Sequence, residues 1–184
     1  GRSEPTETAR AVTALGSRFH WHSVDLGAKP DLQHIVGEVE ANFGPVDILV
    51  NNAGTIRRAD ALDFSEKDWD EVMDVNLKAA FFLALAVARR LIARQSGGRI
   101  INVASMPSFQ GGIRIASYTA SKSGLAGITR LLANEWAAHG INVNAIAPGY
   151  FATNNTTALR ADESRNRDIL ARIPAGRWGS PSDL

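Results

Sequence analysis

The chain has 184 residues, of which 45% are hydrophobic, and its 20 Lys and Arg nearly balance 19 Asp and Glu, giving a formal net charge of +1. This size indicates one ordinary domain, and a near-neutral chain without a basic run argues against a nucleic acid partner. Without Cys there is no disulfide, thiolate nucleophile or Cys-based zinc site, and four scattered His do not suggest a metal centre. No run approaches the roughly 20 apolar residues of a membrane span, and residues 1–5 lack the apolar run of a signal peptide. We therefore expect no membrane partner, no metal and a cytoplasmic location.

Apolar runs rich in Val and Ile alternate with long amphipathic segments along the chain. The helices are predicted at residues 4–15 after a Ser3 cap, 31–43, 66–94 after a Ser65 cap, and 117–138. The strands are predicted at residues 19–24, 46–50, 99–103 and 141–146. The middle two strands are almost continuously apolar, which is typical of a sheet covered on both faces. This alternation predicts an α/β fold with a doubly wound parallel sheet.

Both ends of the chain differ from a complete domain of this class. Such folds open with a strand and a G-x-G-x-x-G turn or a relative, whose backbone N–H groups meet a pyrophosphate. The chain contains no such motif, and at residues 181–184 a helix would only be starting. The sequence therefore predicts an internal piece without the first βαβ unit and the last strand.

Tyr118 and Lys122 lie four residues apart in the predicted helix 117–138, so both side chains project from one face about one turn apart. An isolated phenol titrates near pH 10, about three units too high for a base at neutral pH. A neighbouring positive charge favours the phenolate, and such a phenol can exchange a proton with a carbonyl or an alcohol. A solvated helix face is the alternative interpretation of this spacing.

Other polar residues follow the predicted strands, at the edge where ligands bind in open α/β sheets. Ser105 stands thirteen residues before Tyr118, where its hydroxyl could hold a substrate oxygen; an ordinary loop Ser is the alternative. Residues 51–54, Asn-Asn-Ala-Gly, let a flat ligand approach the backbone, and their Asn side chains can join neighbouring strands; a plain turn is the alternative. Asn76, a poor helix former within 66–94, suggests an inward-facing polar role or an exposed Asn. Pro148-Gly149 and Thr153 indicate a turn that can hydrogen-bond an amide, or simply a turn.

These motifs, taken together and in this order, resemble the short-chain dehydrogenase/reductase family over essentially the whole chain. The resemblance implies that residues 1–184 are a single partial dinucleotide-binding domain of Rossmann-like fold and part of an NAD(P)-dependent oxidoreductase. It also implies a catalytic tetrad of Asn76, Ser105, Tyr118 and Lys122.

Within that resemblance each residue of the tetrad has a role. Tyr118 is the general acid/base, and Lys122 favours its ionised form and holds the nicotinamide ribose hydroxyls. Ser105 fixes the reacting oxygen, and Asn76 supports a water that relays protons to Lys122. The implied cofactor is NAD, with NADP as the alternative because Arg2 could pair with a 2′-phosphate. The implied cofactor-binding residues are Asp25, Asn52, Ala53, Gly54, Tyr118, Lys122, Pro148, Gly149 and Thr153.

Residues 4–8, 51–58, 108–114, 147–156 and 172–179 are similar to the corresponding stretches of family members that act on sugar acids. The carboxylate and hydroxyls of a sugar acid require a guanidinium and amides in the binding site. The implied substrate-binding residues are Ser105, Gln110, Arg114, Tyr118 and Asn154, with Asn155 and Arg160 in the same segment as Asn154. Arg57 and Arg58 are alternative candidates to Arg114 for binding the substrate carboxylate. Pro107 stands close to Ser105 where an apolar residue such as Leu is expected.

A 3-oxoacyl thioester reductase and a non-catalytic nucleotide-binding fragment are the alternative functions. The family also implies that helices 66–94 and 117–138 pair into a homodimer or homotetramer.

Overall fold

The computed structural model describes residues 5–184, apart from the side chain of Asn155, so Arg2 and the predicted Ser3 cap lie outside the described residues. The chain divides into two compact units, Gly1–Ile146 and Ala147–Leu184. The described part of the first unit holds a three-stranded parallel sheet in the order β1-β2-β3. Its strands are β1 (Ile48–Asn51), β2 (Gly98–Val103) and β3 (Ile141–Ile146). The α/β class, the parallel sheet and three of the four predicted strands are confirmed.

The prediction of a strand at residues 19–24 is wrong. A strand is stabilised by backbone hydrogen bonds to a neighbouring strand, and no described strand pairs with this segment. Its side chains contact the end of the next helix instead. The His20 ring stacks on Phe43 with 5.9 Å between centroids, and the Arg18 guanidinium lies 4.5 Å from the same ring.

The helices of the first unit begin and end close to the predicted positions. Asp31 caps α2 by accepting a hydrogen bond from the His34 N–H, and Ser65 caps α3 by accepting one from the Asp68 N–H. The first-unit helices are α1 (Thr6–Ala14), α2 (Leu32–Phe43), α3 (Glu66–Met73), α4 (Ala79–Arg94) and α5 (Ala116–Trp136). None of the helices in residues 5–184 is both long enough and apolar enough to cross a membrane.

The predicted helix 66–94 contains one irregular turn, which the sequence pattern did not reveal. Asp74–Lys78 form a π-helical turn between α3 and α4, so the helical path is continuous but carries one extra residue. Asn76, in the middle of that turn, is 1% exposed. The turn therefore presents a polar side chain to the interior, which confirms the inward-facing interpretation of Asn76.

The core of the first unit lies between one face of the sheet and helices α2, α4 and α5. Leu91, Ile100 and Ile141 are almost fully buried in it. The close approach of α4 to β2 requires glycine at position 98, because a Cβ there would lie 2.6 Å from a methyl carbon of Leu91. This packing sets the position of the helices relative to the strand ends.

The opposite face of the sheet is not covered by the described residues of the first unit. Ile48 and Val50 are 61% and 53% exposed, whereas Asn51 at the end of the same strand is buried. The expectation that the apolar strands are covered on both faces is therefore not met within the described part of this unit. The apolar pattern marks both faces as suited to burial, but α2, α4 and α5 pack on one.

The second unit contains two short helices that the sequence analysis missed, α6 (Thr157–Ala161) and α7 (Glu163–Leu170). A parallel bridge joins Phe151 to Gly179 and closes the segment on itself. The Trp178 indole N–H donates to the Asn166 side chain at 2.7 Å and fixes α7 against this bridge. These helices are short and polar, so their apolar periodicity is too weak to predict them.

Candidate active site

Two buried amides join the carboxyl ends of β1 and β2. The Asn51 side-chain amide donates to the Ala80 carbonyl at 3.0 Å and to the Asn102 side-chain oxygen at 2.9 Å. The Asn102 amide donates in turn to the Thr129 hydroxyl at 2.9 Å. This amide network connects α4, two strands and α5 through satisfied hydrogen bonds, and it confirms that an Asn of the 51–54 segment joins neighbouring strands.

Asn76 organises a second polar cluster at the same edge of the sheet. Its side-chain oxygen accepts from the Thr55 N–H at 2.8 Å, and its amide donates to the Thr55 carbonyl at 2.9 Å. The amide also donates to the Ser121 hydroxyl at 3.2 Å, and that hydroxyl donates to the Tyr118 carbonyl at 2.9 Å. The π-helical turn is thereby bonded both to the loop after β1 and to the first turns of α5.

Lys122 lies beside this cluster with its ammonium almost fully buried. The residue is 4% exposed, its Nζ donates to the Val103 carbonyl at 2.6 Å, and the Tyr118 ring centroid is 5.8 Å away. No carboxylate of the described residues lies within 4.0 Å of Nζ. Burial without a counter-charge lowers the pKa of the Lys122 ammonium to about 8. One carbonyl satisfies one of three N–H bonds, so this ammonium can still donate to an incoming ligand.

Ser105 is fastened to α5 through its neighbour Ser108. The Ser108 hydroxyl accepts a hydrogen bond from the Ser105 N–H at 3.3 Å and donates one to the Lys122 carbonyl at 2.8 Å. Pro107 fits the 3-10 turn Met106–Ser108 because the first turn of a helix does not need its N–H. Ser105 therefore follows the end of β2 on a loop held against the turn of α5 that carries Lys122.

The segment after β1 lies against Asn76 and Lys122. Asn52, Ala53 and Gly54 are exposed, and a Cβ at Gly54 would lie 3.3 Å from the Asn76 side-chain oxygen and 3.8 Å from Lys122 Nζ. Glycine therefore keeps open the space beside the ammonium. Asp25 accepts a hydrogen bond from the Gly27 N–H and begins the 3-10 turn Leu26–Ala28.

The structure distinguishes the three candidate arginines by their partners. Arg57 is held by Glu71 and Asp68 of α3. Arg114 is exposed, adopts a positive φ of 64° and pairs with Asp60 at 3.2 Å. Arg58 is exposed, and no ion pair to it is found among the described residues.

The remaining predicted residues lie on exposed or separate parts of the chain. Gln110 is exposed, and its N–H donates to the Met106 carbonyl at 3.0 Å. Pro148, Gly149, Thr153, Asn154 and Arg160 belong to the second unit, where Arg160 donates to the Thr153 carbonyl at 3.3 Å. Their proposed contacts with cofactor and substrate stay predictions.

Three residues of the cluster were missed by the sequence analysis. The Ser121 and Ser108 hydroxyls each accept one hydrogen bond and donate another, and Thr55 bonds Asn76 through its backbone. The i, i+3 spacing of Tyr118 and Ser121 on one helix face was a usable signal for the first. Backbone groups leave no sequence signal, so Thr55 required the structure.

Known proteins resemble this chain over nearly its whole length. The family model described as short chain dehydrogenase matches residues 1–164. The 2-dehydro-3-deoxy-D-gluconate 5-dehydrogenase of Escherichia coli (strain K12) is 64% identical over 98% of this chain and 72% of that protein. The Bacillus subtilis (strain 168) protein of the same name is 48% identical over 99% of this chain and 71% of that protein. A solved gluconate 5-dehydrogenase from Burkholderia cenocepacia J2315, in complex with NADP and tartrate, has a TM-score of 0.90 and 38% identity, covering 98% of this chain and 71% of that one. The chain therefore belongs to the short-chain dehydrogenase family.

Proposed function

We propose that this chain belongs to an NAD(P)-dependent oxidoreductase that interconverts a hydroxyl and a ketone on a deoxy-keto sugar acid. The observation that carries this proposal is the buried Lys122 ammonium, which has no counter-charge among the described residues and lies near the Tyr118 ring. Burying a charge without a partner is costly, so its retention indicates a chemical use.

The residues present fit a nicotinamide cofactor in two respects. Lys122 retains N–H donors suited to the hydroxyls of a ribose, and Gly54 leaves the space beside them open. When bound, the nicotinamide supplies or takes up the hydride. A relative was solved with NADP, which supports NADP beside the NAD expected from the sequence.

In the proposed reaction the side chains of this chain handle the proton and the reacting oxygen. Tyr118 donates a proton to the ketone oxygen or removes one from the alcohol. The positive charge of Lys122 favours the phenolate during that exchange. Ser105 fixes the substrate oxygen, and Asn76 holds the edge at which a water can pass protons to Lys122.

The names of the relatives support a sugar acid as the substrate class. Two are 2-dehydro-3-deoxy-D-gluconate 5-dehydrogenases, and a third was crystallised with tartrate, a hydroxy acid. The exposed side chain of Arg58 is suited to a carboxylate. Arg114 is also exposed, and its pair with Asp60 is a solvent-exposed contact of the weak kind that a substrate carboxylate can replace. An acyl thioester would instead need an apolar trough beside Ser105.

We also propose that the chain forms a homodimer or homotetramer through α4 and α5. Phe82 on α4 and Leu131 on α5 are 45% and 48% exposed, and a side chain at Gly127 of α5 would meet nothing within 4 Å. Exposed apolar residues on long helices favour association. Light scattering is expected to show a dimer or larger, and a monomer at micromolar concentration would contradict this.

The proposed function is tested by assaying the protein with 2-dehydro-3-deoxy-D-gluconate and NAD⁺ or NADP⁺. Absorbance of the reduced nicotinamide should rise with the wild type, and Tyr118→Phe should lower kcat by at least about 100-fold. Tyr150→Phe, in the second unit, is the matched control for loss of a phenol. Turnover of a 3-oxoacyl thioester alone, or equal rates for wild type and Tyr118→Phe, would contradict the proposal.

A further inference from the structure

Arg57 is held in place by four groups close to the Asn76 cluster. Its Nη1 donates to the Thr55 hydroxyl at 3.1 Å and to the Ile56 carbonyl at 3.1 Å. Its Nη2 pairs with Glu71, and its Nε lies 3.5 Å from an oxygen of Asp68. Both acidic partners belong to α3, and the side chains of Arg57 and Glu71 are only 37% and 33% exposed.

Thr55 is thereby bonded from two sides to one continuous helix. Asn76 binds both of its backbone groups, while Arg57 binds its hydroxyl and carries the connection to Glu71. Glu71 and Asn76 stand five residues apart on the helical path that includes the π-helical turn. These contacts close a ring through Asn76, Thr55, Arg57, Glu71 and back along the helix.

We propose that Arg57 is a positioning residue: its pair with Glu71 fixes Thr55, and Thr55 fixes the carboxamide of Asn76. The effect extends to the catalytic phenol, since Asn76 bonds Ser121 and Ser121 bonds the Tyr118 carbonyl. Displacements of about 1 Å at such a site can cost as much as 100-fold in rate. The inference rests on the proposed function, because positioning matters only if the cluster is catalytic.

The same contacts argue against Arg57 as the residue that binds the substrate carboxylate. Its donors already face Glu71, Asp68, Thr55 and Ile56. A substrate carboxylate at Arg57 would meet two carboxylates of α3, and like charges at that range repel. Arg58, the neighbouring arginine, carries no such pair among the described residues.

Steady-state kinetics of four variants test this inference. We expect Arg57→Gln to lower kcat about tenfold, with KM for the sugar acid changed by no more than about twofold. Glu71→Gln, which does not alter Arg57 itself, should reproduce this effect, and the double variant should be no worse than either single variant. Thr55→Val removes only the hydroxyl between Arg57 and the loop and should give a smaller loss of kcat.

Asp47→Asn is the control, because it breaks an Arg–carboxylate pair with Arg94 next to the amino end of β1. It should leave kcat unchanged. If Arg57→Gln instead raises KM alone while Glu71→Gln has no effect, Arg57 binds the substrate and the inference is wrong.

A second measurement does not depend on activity. Hydrogen exchange at the Thr55 amide, which is bonded to Asn76, should become faster in Arg57→Gln and Glu71→Gln but not in Asp47→Asn. Unchanged exchange would overturn the positioning role whatever the kinetics show. If the wild type turns over no sugar acid while exchange responds as expected, the proposed function fails and the role of Arg57 in fixing the cluster stands.

Discussion

Two buried polar clusters lie side by side at the carboxyl edge of the sheet and differ in how completely they are satisfied. In the amide network of Asn51, Asn102 and Thr129, the strand amides and the Thr129 hydroxyl bond to protein groups. Beside the Asn76 cluster, the Lys122 ammonium donates to only one carbonyl among the described residues, so its other N–H groups have no protein partner there. The first cluster stabilises the fold, and the second keeps bonding capacity that a ligand can use.

This contrast separates stability from chemistry within one edge of the sheet. A buried network with all its hydrogen bonds made raises the free energy of unfolding. Removing one of its members lowers stability, because the former partner is left as a buried polar group without a hydrogen bond. A buried charge without a partner lowers the free energy of unfolding, so replacing it with an apolar side chain raises that free energy. Variants of the two clusters should therefore have opposite effects on stability and activity.

The largest expected effect is on catalysis, in Lys122→Met. Loss of the ammonium should reduce kcat by at least about 100-fold. The free energy of unfolding at pH 7 should be unchanged or higher, because the variant no longer buries a charge whose pKa is lowered to about 8. Enzyme assays and denaturant unfolding measure the two quantities on one sample.

The control is Lys67→Met, which removes an exposed lysine of α3 and should change neither quantity. A Lys122→Met protein that is clearly less stable at pH 7 would contradict the contrast, since Lys122 would then belong with the satisfied network.

The pH dependence of stability sharpens the same point. Between pH 8 and 10.5 the Lys122 amine is mostly neutral in the folded chain and still protonated in the unfolded chain. Unfolding in that window takes up a proton, so the free energy of unfolding from this group rises with pH, by at most about 1.4 kcal/mol per unit. Below pH 8 both states are protonated and the cost of burying the charge is fully present. From pH 8 to 10.5 the free energy of unfolding of the wild type should therefore rise relative to that of Lys122→Met. A difference between the two proteins that does not change with pH would contradict this prediction.

The satisfied network should respond to substitution in the opposite way. Asn102→Leu removes the acceptor of the Asn51 amide and the donor to Thr129, and should lower the free energy of unfolding by about 2 kcal/mol. Thr129→Val, which removes one hydroxyl, should cost about 1 kcal/mol. The kcat of the folded molecules should stay within about twofold of wild type in both, since no hydrogen bond among the described residues joins the side chain of either residue to that of Lys122 or Tyr118. A loss of kcat as large as that of Tyr118→Phe would show that the two clusters act as one.

Sequence patterns predicted those features of the fold that depend on local rules. The Ser65 cap and the strands β2 and β3 follow from side-chain type and period. Residues 19–24 were also predicted as a strand, but no described strand pairs with them. A sequence pattern cannot show whether a pairing partner is present. The uncovered face of β1 is a second case, because burial depends on which elements pack against it.

The site divides in the same way. Helical spacing predicted that Tyr118 and Lys122 share a face, whereas the poor helix propensity of Asn left Asn76 open between an inward role and an exposed position, and the structure decided for the first. The adjacent arginines 57 and 58 are indistinguishable by residue type, and only the acidic side chains of α3 separate their roles. Long-range partners of this kind are the part of the site that the sequence could not provide.

The π-helical turn Asp74–Lys78 joins α3 to α4, so the number of residues in it sets the rotation of α3 relative to α4. One residue of a regular helix corresponds to a rotation of about 100°, so a single-codon deletion in this turn would rotate α3 about its axis relative to α4. Val72, fully buried, would then leave the core, and Glu71 would turn away from Arg57. We therefore expect the helical path from α3 to α4 to accept the exchange of single side chains more readily than the loss or gain of one residue.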